Sequence, residues 1–196
     1  MAFLTQEQLV SMGFGSLGTN VLVSDKASIY GANRIHIGSN VRIDDFCVLS
    51  AGERGVFIGD YVHIAVFSLL IGAGRITISD FAGLSSRVSI YSSNDDYSGN
   101  FLTNPTVPVE YTNVTKADVT LGKHVIIGSG SVVLPGITLH DGVAIGSLSL
   151  VTKDCEEFSV YIGSPAKKLK NRKNNLLELE KKLTNQIDFY MNDKKG

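Results

Sequence analysis

The chain has 196 residues, 43 % of them hydrophobic and 19 % charged, with 18 Lys+Arg against 19 Asp+Glu and a net charge of −1. That is too apolar for a disordered chain and too evenly charged for a binder of nucleic acid or anionic membrane. The two cysteines, Cys47 and Cys155, form no CxxC pair or Cys/His cluster, so they read as reduced thiols of a cytoplasmic protein, and no metal site is expected.

The first residues, MAFLTQEQLV, lack a basic n-region and carry Glu7, so they do not read as a signal peptide. Thr5 and Gln8 instead have the spacing of a capping box, which predicts a short helix over 5–12 within an N-terminal segment 1–16. The most apolar run, residues 64–71, is too short to span a bilayer.

From Leu17 onward the chain reads in sixes. LGTNVL, VSDKAS and IYGANR start at Leu17, IGSNVR and IDDFCV at Ile37, and IGDYVH and IAVFSL at Ile58. ISDFAG, LSSRVS and IYSSND follow from Ile78, and six consecutive units run from Leu121 to VTKDCE. The first residue of each unit is aliphatic, and the fifth is often small or aliphatic. A period of six fits neither a helix face nor simple strand alternation. It fits a short strand and a tight corner, three of which make one triangular coil of about 18 residues whose core exists only through stacking. Gly, Asn and Asp near the corners are suited to the positive φ of the turns. The spacing predicts about six coils over 17–166, with small corner loops near Arg34–His36, residues 51–57 and residues 72–76.

Two segments leave the frame. Residues 95–119, DDYSGNFLTNPTVPVEYTNVTKADV, form a long excursion rich in Pro, Asn and Thr. A loop of this length in a compact domain is usually functional. Its aromatics Tyr97, Phe101 and Tyr111 are expected to pack on a surface, such as that of a neighbouring subunit. In the tail 167–196, Leu176, Leu179, Leu183 and Ile187 recur at helical spacing and Glu178–Lys182 adds an i,i+4 pair, which predicts an amphipathic helix.

These units resemble the hexapeptide repeats of the left-handed parallel β-helix acyltransferases. The likeness covers residues 17–170, and VTKDCEEFSVYIGSPAKKLK is similar to the ending of the acetyl-CoA-dependent branch. The nearest resemblance is to N-acyltransferases of nucleotide-linked amino sugars in surface-polysaccharide pathways. It implies a left-handed all-β solenoid, acetyl-CoA or another acyl-CoA as co-substrate, and a homotrimer with active sites between subunits. Flat faces carrying Val66, Phe67 and Leu69 agree with side-by-side packing. No GxSxG elbow or Cys/His pair points to an acyl-enzyme, so direct attack on the thioester is expected.

Small residues at Gly128, Ser129, Gly130, Gly146 and Ser147 leave room for pantetheine along one edge. Carried over by motif, Ser129 and Ser147 resemble pantetheine contacts, and Thr152, Lys153, Lys167 and Lys170 resemble residues near the adenine and phosphates. Family members often have Arg where this chain has Lys167 and Lys170, which removes the bidentate geometry. Where many O-acetylating relatives place a His at the loop exit, this chain reads Asp95 and Asp96. A sugar hydroxyl needs an imidazole base, whereas a neutral amine is already a nucleophile and needs only an acceptor for its proton, which a carboxylate supplies. Asp95 and Asp96 are therefore candidate bases. Ser85 and Ser86 lie on the corner phase just before, able to hold the amine or orient Asp95. Arg87 is a candidate for a diphosphate or an ion pair. Asn94, Tyr97, Glu110 and His63 are candidate substrate contacts, and His124 is a further candidate. The leading expectation is N-acyl transfer. Alternatives are O-acetylation of a hydroxyl, a non-catalytic scaffold, and a carbonic-anhydrase-like metal protein that would need His36, His63 and His140 to converge.

Overall fold

The computed structural model describes residues 2–193, with side chains through residue 187, so Met1 and residues 194–196 of the expected terminal segments lie outside the described residues. The six-residue frame becomes a parallel β-solenoid with three faces. The first face stacks Ser16–Leu17, Ile35–Ile37, Val56–Ile58, Ile76–Ile78, Val119–Leu121 and Thr138–Leu139. The second stacks Leu22–Val23, Arg42–Ile43, His63–Ile64, Gly83–Leu84, Ile126–Ile127, Ala144–Ile145 and Ser159–Ile162. The third stacks Ser28–Tyr30, Val48–Ala51, Leu69–Gly72, Ser89–Tyr91, Val132–Val133 and Leu150–Val151. Six coils are complete, and Ser159–Ile162 begins a seventh.

Pairing in register sets each inward residue on its counterpart one coil away: Ile43 on Ile64, Ile64 on Leu84, Leu84 on Ile127 and Ile127 on Ile145. These positions are buried, as are the fifth-position residues Val41, Val62, Ala82, Val125 and Val143. Each Ile, Leu or Val so buried contributes about 1.5–3 kcal/mol before entropy is charged.

The corners meet the expectation only in part. Positive φ falls on Asn20, Asn40, Gly130 and Gly142, as expected, but also on Tyr61, Phe81, His124 and Phe158 along one edge and on Phe46, Phe67, Arg87 and Leu148 along another. Bulky residues rarely adopt this conformation. Here they offset its cost by stacking from coil to coil: Tyr61 on Phe81 at 4.9 Å, Phe81 on His124 at 5.0 Å, and Phe46 on Phe67 at 5.0 Å. Arg87 lies over the Phe67 ring at 5.2 Å, so its first partner is an aromatic face. Carboxylates also tie coils together, since Asp80 accepts the Asp60 N–H at 2.9 Å and Asp141 accepts that of Lys123 at 2.8 Å. The close approach demands glycine at position 38, where a Cβ would strike Asp60 and the Gly59 backbone.

The helix α1, Gln6–Ser11, has the capping box expected of Thr5 and Gln8, and its Leu9 seals the first coil. The loops expected near residues 51–57 and 72–76 are corners between the third and first faces. His36, expected in a corner, stands on a first-face strand with its ring stacked on Phe57 at 4.5 Å. The excursion leaves and re-enters through an antiparallel neck, Ser93–Asn94 with Thr115–Lys116, and carries a 3₁₀ turn, Val109–Tyr111. The tail is not helical from its start. Lys167–Asn171 is a strand that folds back antiparallel on Ser159–Ile162, and the helix α2 spans Leu176–Asp193. Among the described residues, no helix is long and apolar enough to cross a membrane.

Candidate active site

Two concavities hold the residues singled out from the sequence. The first, a groove of about 360 Å³ on the second face, is lined by His63, Ala65, Gly83, Leu84, Ser85, Ser86 and Ile126. Ser85 and Ser86 follow the strand Gly83–Leu84 at the corner between second and third faces. The Ser85 N–H donates to Ile127 O, which fixes the backbone, and Ser86 Oγ lies 3.2 Å from Ser129 Oγ on the next coil. Along this edge the small residues continue through Gly128, Ser129, Gly146 and Ser147. The edge therefore stays low, and its Ser147 is open to solvent.

The second is a larger cavity, about 740 Å³, under the excursion. Asn94 and Asp95 line it with Ser50, Ile71 and the apolar Pro105, Val107, Val109 and Val114. Tyr97 and Glu110 do not line it, and Tyr97 is 92 % exposed. Phe101 and Tyr111 are about half exposed, so their own chain covers them only in part. Asp95 and Asp96 are separated by their partners. Asp96 accepts from Ser98 Oγ, Ser98 N–H and Gly99 N–H at 2.8–3.1 Å, and these bonds, that of Ser98 foremost, hold its carboxyl below the usual range. A carboxylate so engaged is a poor proton acceptor. Asp95 faces the cavity.

Ser85 and Asp95 stand at opposite ends of the third-face strand Ser89–Tyr91. A whole face, roughly 15 Å at strand rise, separates them. A single chain does not bring them into one cavity.

The lysines are dispersed. Thr152 and Lys153 follow the last third-face strand, whereas Lys167 and Lys170 stand on the closing strand, paired opposite Ile162 and Val160. Lys168 is held by Glu156 at 2.7 Å. Lys153, Lys167 and Lys170 pair with no carboxylate among the described residues, which leaves their charge for an anion.

Of the other histidines, His124 is buried and its Nε2–H donates to the Glu180 carboxylate at 2.7 Å, so it belongs to the docking of α2. His63 is half exposed, and its Nε2 lies 2.9 Å from Oδ2 of Asp44. Asp44 is 5 % exposed and takes the Arg42 Nε on its other oxygen at 2.7 Å. Asp44 carries no motif in the sequence. It reads as a corner residue of IDDFCV, and only coil stacking sets it against His63. His36 and His63 lie on different faces, and no group of three His, Cys, Asp or Glu among the described residues is placed to hold a metal ion. Both cysteines are buried, and burial pushes the Cys155 thiol up to about 12, so neither is poised as a nucleophile.

No protein-family model matches the chain. It is 62 % identical over 180 residues to the dTDP-4-amino-4,6-dideoxy-D-glucose acyltransferase of Escherichia coli, covering 92 % of this chain and 94 % of that protein. The chain belongs to the hexapeptide-repeat acyltransferases of nucleotide-linked amino sugars. The acyltransferase also matches the structure of AntD, an N-acyltransferase from Bacillus cereus, in complex with dTDP and 3-hydroxybutyryl-CoA. The TM-score is 0.91 at 45 % identity, over 95 % of this chain and 98 % of AntD. An AntD serine variant in complex with dTDP-4-amino-4,6-dideoxyglucose and coenzyme A matches with a TM-score of 0.89 at 44 % identity, over 94 % and 98 %. AntD has also been solved with substitutions at an aspartate ten positions after that serine. Ser85 and Asp95 of this acyltransferase have the same spacing.

Proposed function

We propose that the enzyme transfers an acyl group, acetyl in the simplest case, from coenzyme A to the 4-amino group of dTDP-4-amino-4,6-dideoxyglucose. Its sites form between copies of a homotrimer. The observation that carries this reading is the carboxylate of Asp95 at the mouth of the excursion, where a hydroxyl-acylating site would need an imidazole.

The chemistry follows from the groups present. The amine nitrogen attacks the thioester carbonyl carbon and forms the N–C bond, while the carbonyl electrons move onto oxygen. The nitrogen then carries a positive charge, and Asp95 takes its proton. Collapse of the intermediate breaks the C–S bond, and the proton on Asp95 passes to the departing thiolate. Ser85 has a hydroxyl that donates to the developing oxyanion or accepts from the amine. Its spacing from Asp95, matched by the two substituted positions of AntD, supports placing both at the reacting nitrogen. Since they stand a face apart in one chain, the Asp95 of one copy would meet the Ser85 of the next. The exposed aromatics of the excursion, Tyr97, Phe101 and Tyr111, and the exposed Leu179, Leu183 and Ile187 of α2 support such packing.

Pantetheine fits along the low edge at Ser129 and Ser147, with Thr152, Lys153, Lys167 and Lys170 toward the adenine and phosphates. Asn94 is placed to meet the sugar, and Tyr97 and Glu110 reach it only from a neighbouring copy. A nucleotide-activated product is a donor for glycosyl transfer, which fits a cytoplasmic step toward surface polysaccharide. The test is CoA release against a panel of dTDP-amino sugars and their hydroxyl counterparts. Turnover of the 4-amino sugar with acetyl-CoA is expected, and faster turnover of a hydroxyl sugar would overturn the reading.

A further inference from the structure

The acceptor brings one proton more than Asp95 can use. A primary amine on a sugar arrives largely as ammonium at neutral pH, and that proton must leave before the nitrogen can attack. Asp95 then handles the second proton, released as the intermediate forms. The first needs another acceptor that touches the groove and also touches water.

We infer that His63, held by Asp44, is that acceptor. The ring stands in the same groove as Ser85 and Ser86, half exposed to solvent. Its Nε2 is committed to Asp44, which Arg42 fixes through its other oxygen. An N–H donated to a carboxylate leaves the lone pair on Nδ1, the tautomer that accepts a proton. The charged groups facing the ring are Asp44 and, behind it, Arg42, both from the preceding coil. The following coil presents Gly83, Leu84, Ser85 and Ser86 to the groove, and the one after it Ile126, none of them ionisable near neutral pH. Gly83 sharpens the case. Its φ is not in the left-handed region, and a Cβ there would meet nothing within 4 Å, so neither backbone nor packing requires glycine. Its absent side chain keeps the floor open between His63 and Ile126, where a ligand beside Ser85 would lie.

The step balances simply. The ammonium N–H bond breaks, its electron pair stays on nitrogen, Nδ1 of His63 binds the proton, and the imidazolium returns it to water. The Asp44 carboxylate stabilises the imidazolium in the interval and acts as a positioning residue.

This inference rests on the amine-acceptor reading, and the test separates the two. The wild type, His63→Gln, Asp44→Asn and Gly83→Val are compared over pH 6–9 with the 4-amino sugar and acetyl-CoA. His63→Gln is expected to lose about tenfold in kcat/KM near pH 7 and to regain the wild-type value by about pH 9, where the amine arrives neutral. Added imidazole should restore part of the loss. Asp44→Asn should show the same pH signature at smaller size, and Gly83→Val should raise the KM for the sugar and leave that for acetyl-CoA alone. An unchanged acid limb in His63→Gln overturns the inference, and so does a loss of equal size at every pH. A wild type that acylates no amino sugar overturns the functional reading itself, and the inference falls with it.

Discussion

His124 and Glu180 meet at 2.7 Å, joining a corner of the solenoid to the C-terminal helix across 56 positions of sequence. Lys123 adds a second contact to the same carboxylate at 3.0 Å, and Arg172 donates to the His124 and Gly142 carbonyls. The bond from His124, then Lys123, holds the Glu180 carboxyl below its usual range. A depressed carboxylate contributes stability above its unfolded pKa and loses it as pH falls through the folded one. The helix should therefore stay docked at neutral pH and loosen only as the pH falls below the ordinary carboxylate range. Hydrogen exchange over residues 172–187 checks this. Glu180→Gln should show the loosened state already at pH 7, and protection equal to wild type would count against the tether.

The separation of Ser85 from Asp95 predicts complementation. Ser85→Ala and Asp95→Asn copies should each be nearly inactive alone. Mixed trimers would contain some sites with both native residues, about a quarter of them for random equal mixing. Recovery toward that fraction after joint refolding, against none for either variant refolded alone, is the expected result. No recovery would place both groups within one chain.

Asp95→Asn keeps the shape and removes the basic site, so kcat should fall by roughly 10²–10⁴ with little change in acetyl-CoA binding. Asp96→Asn should be milder, because its carboxylate already serves Ser98 and Gly99. Steady-state kinetics of the pair decide the matter, and a larger loss at Asp96 would reverse the assignment.

Lys153→Ala and Lys167→Ala should each weaken CoA binding, the more so at low salt, since what each removes is a screened charge interaction. Lys168→Ala is the control, being paired with Glu156 at 2.7 Å. Calorimetric titration of CoA at two ionic strengths reads both. A KM effect confined to the sugar would refute the phosphate role.

The solenoid was legible because one physical demand repeats. An inward position such as Leu121, Ile127 or Val133 must be aliphatic on every face, so the period survives in a single sequence. The loop-exit carboxylates were legible for a similar reason, since a chain that breaks its own frame marks the place. What escaped depends on contacts between coils. Local propensity assigns positive φ to Gly or Asn, and only the stack on Tyr61 and His124 makes Phe81 tolerable there. Asp44 meets His63 nineteen positions later, so no local pattern records the pair. The closing strand falls in a tail expected to be helical, because its partner, Ser159–Ile162, determines its conformation.

That closing strand also answers a problem of growth. A parallel coil ends in a row of unpaired backbone groups, and an identical coil from another molecule would fit it and start a fibre. The chain reverses direction on Ser159–Ile162, so the outermost strand runs the wrong way for the next copy to continue the winding. It also projects Lys167, Lys168 and Lys170, and a second such edge would meet like charge. At the other end, α1 covers the first coil with Leu9. Both ends of the solenoid are stopped, so copies can associate through its sides without polymerising along its axis.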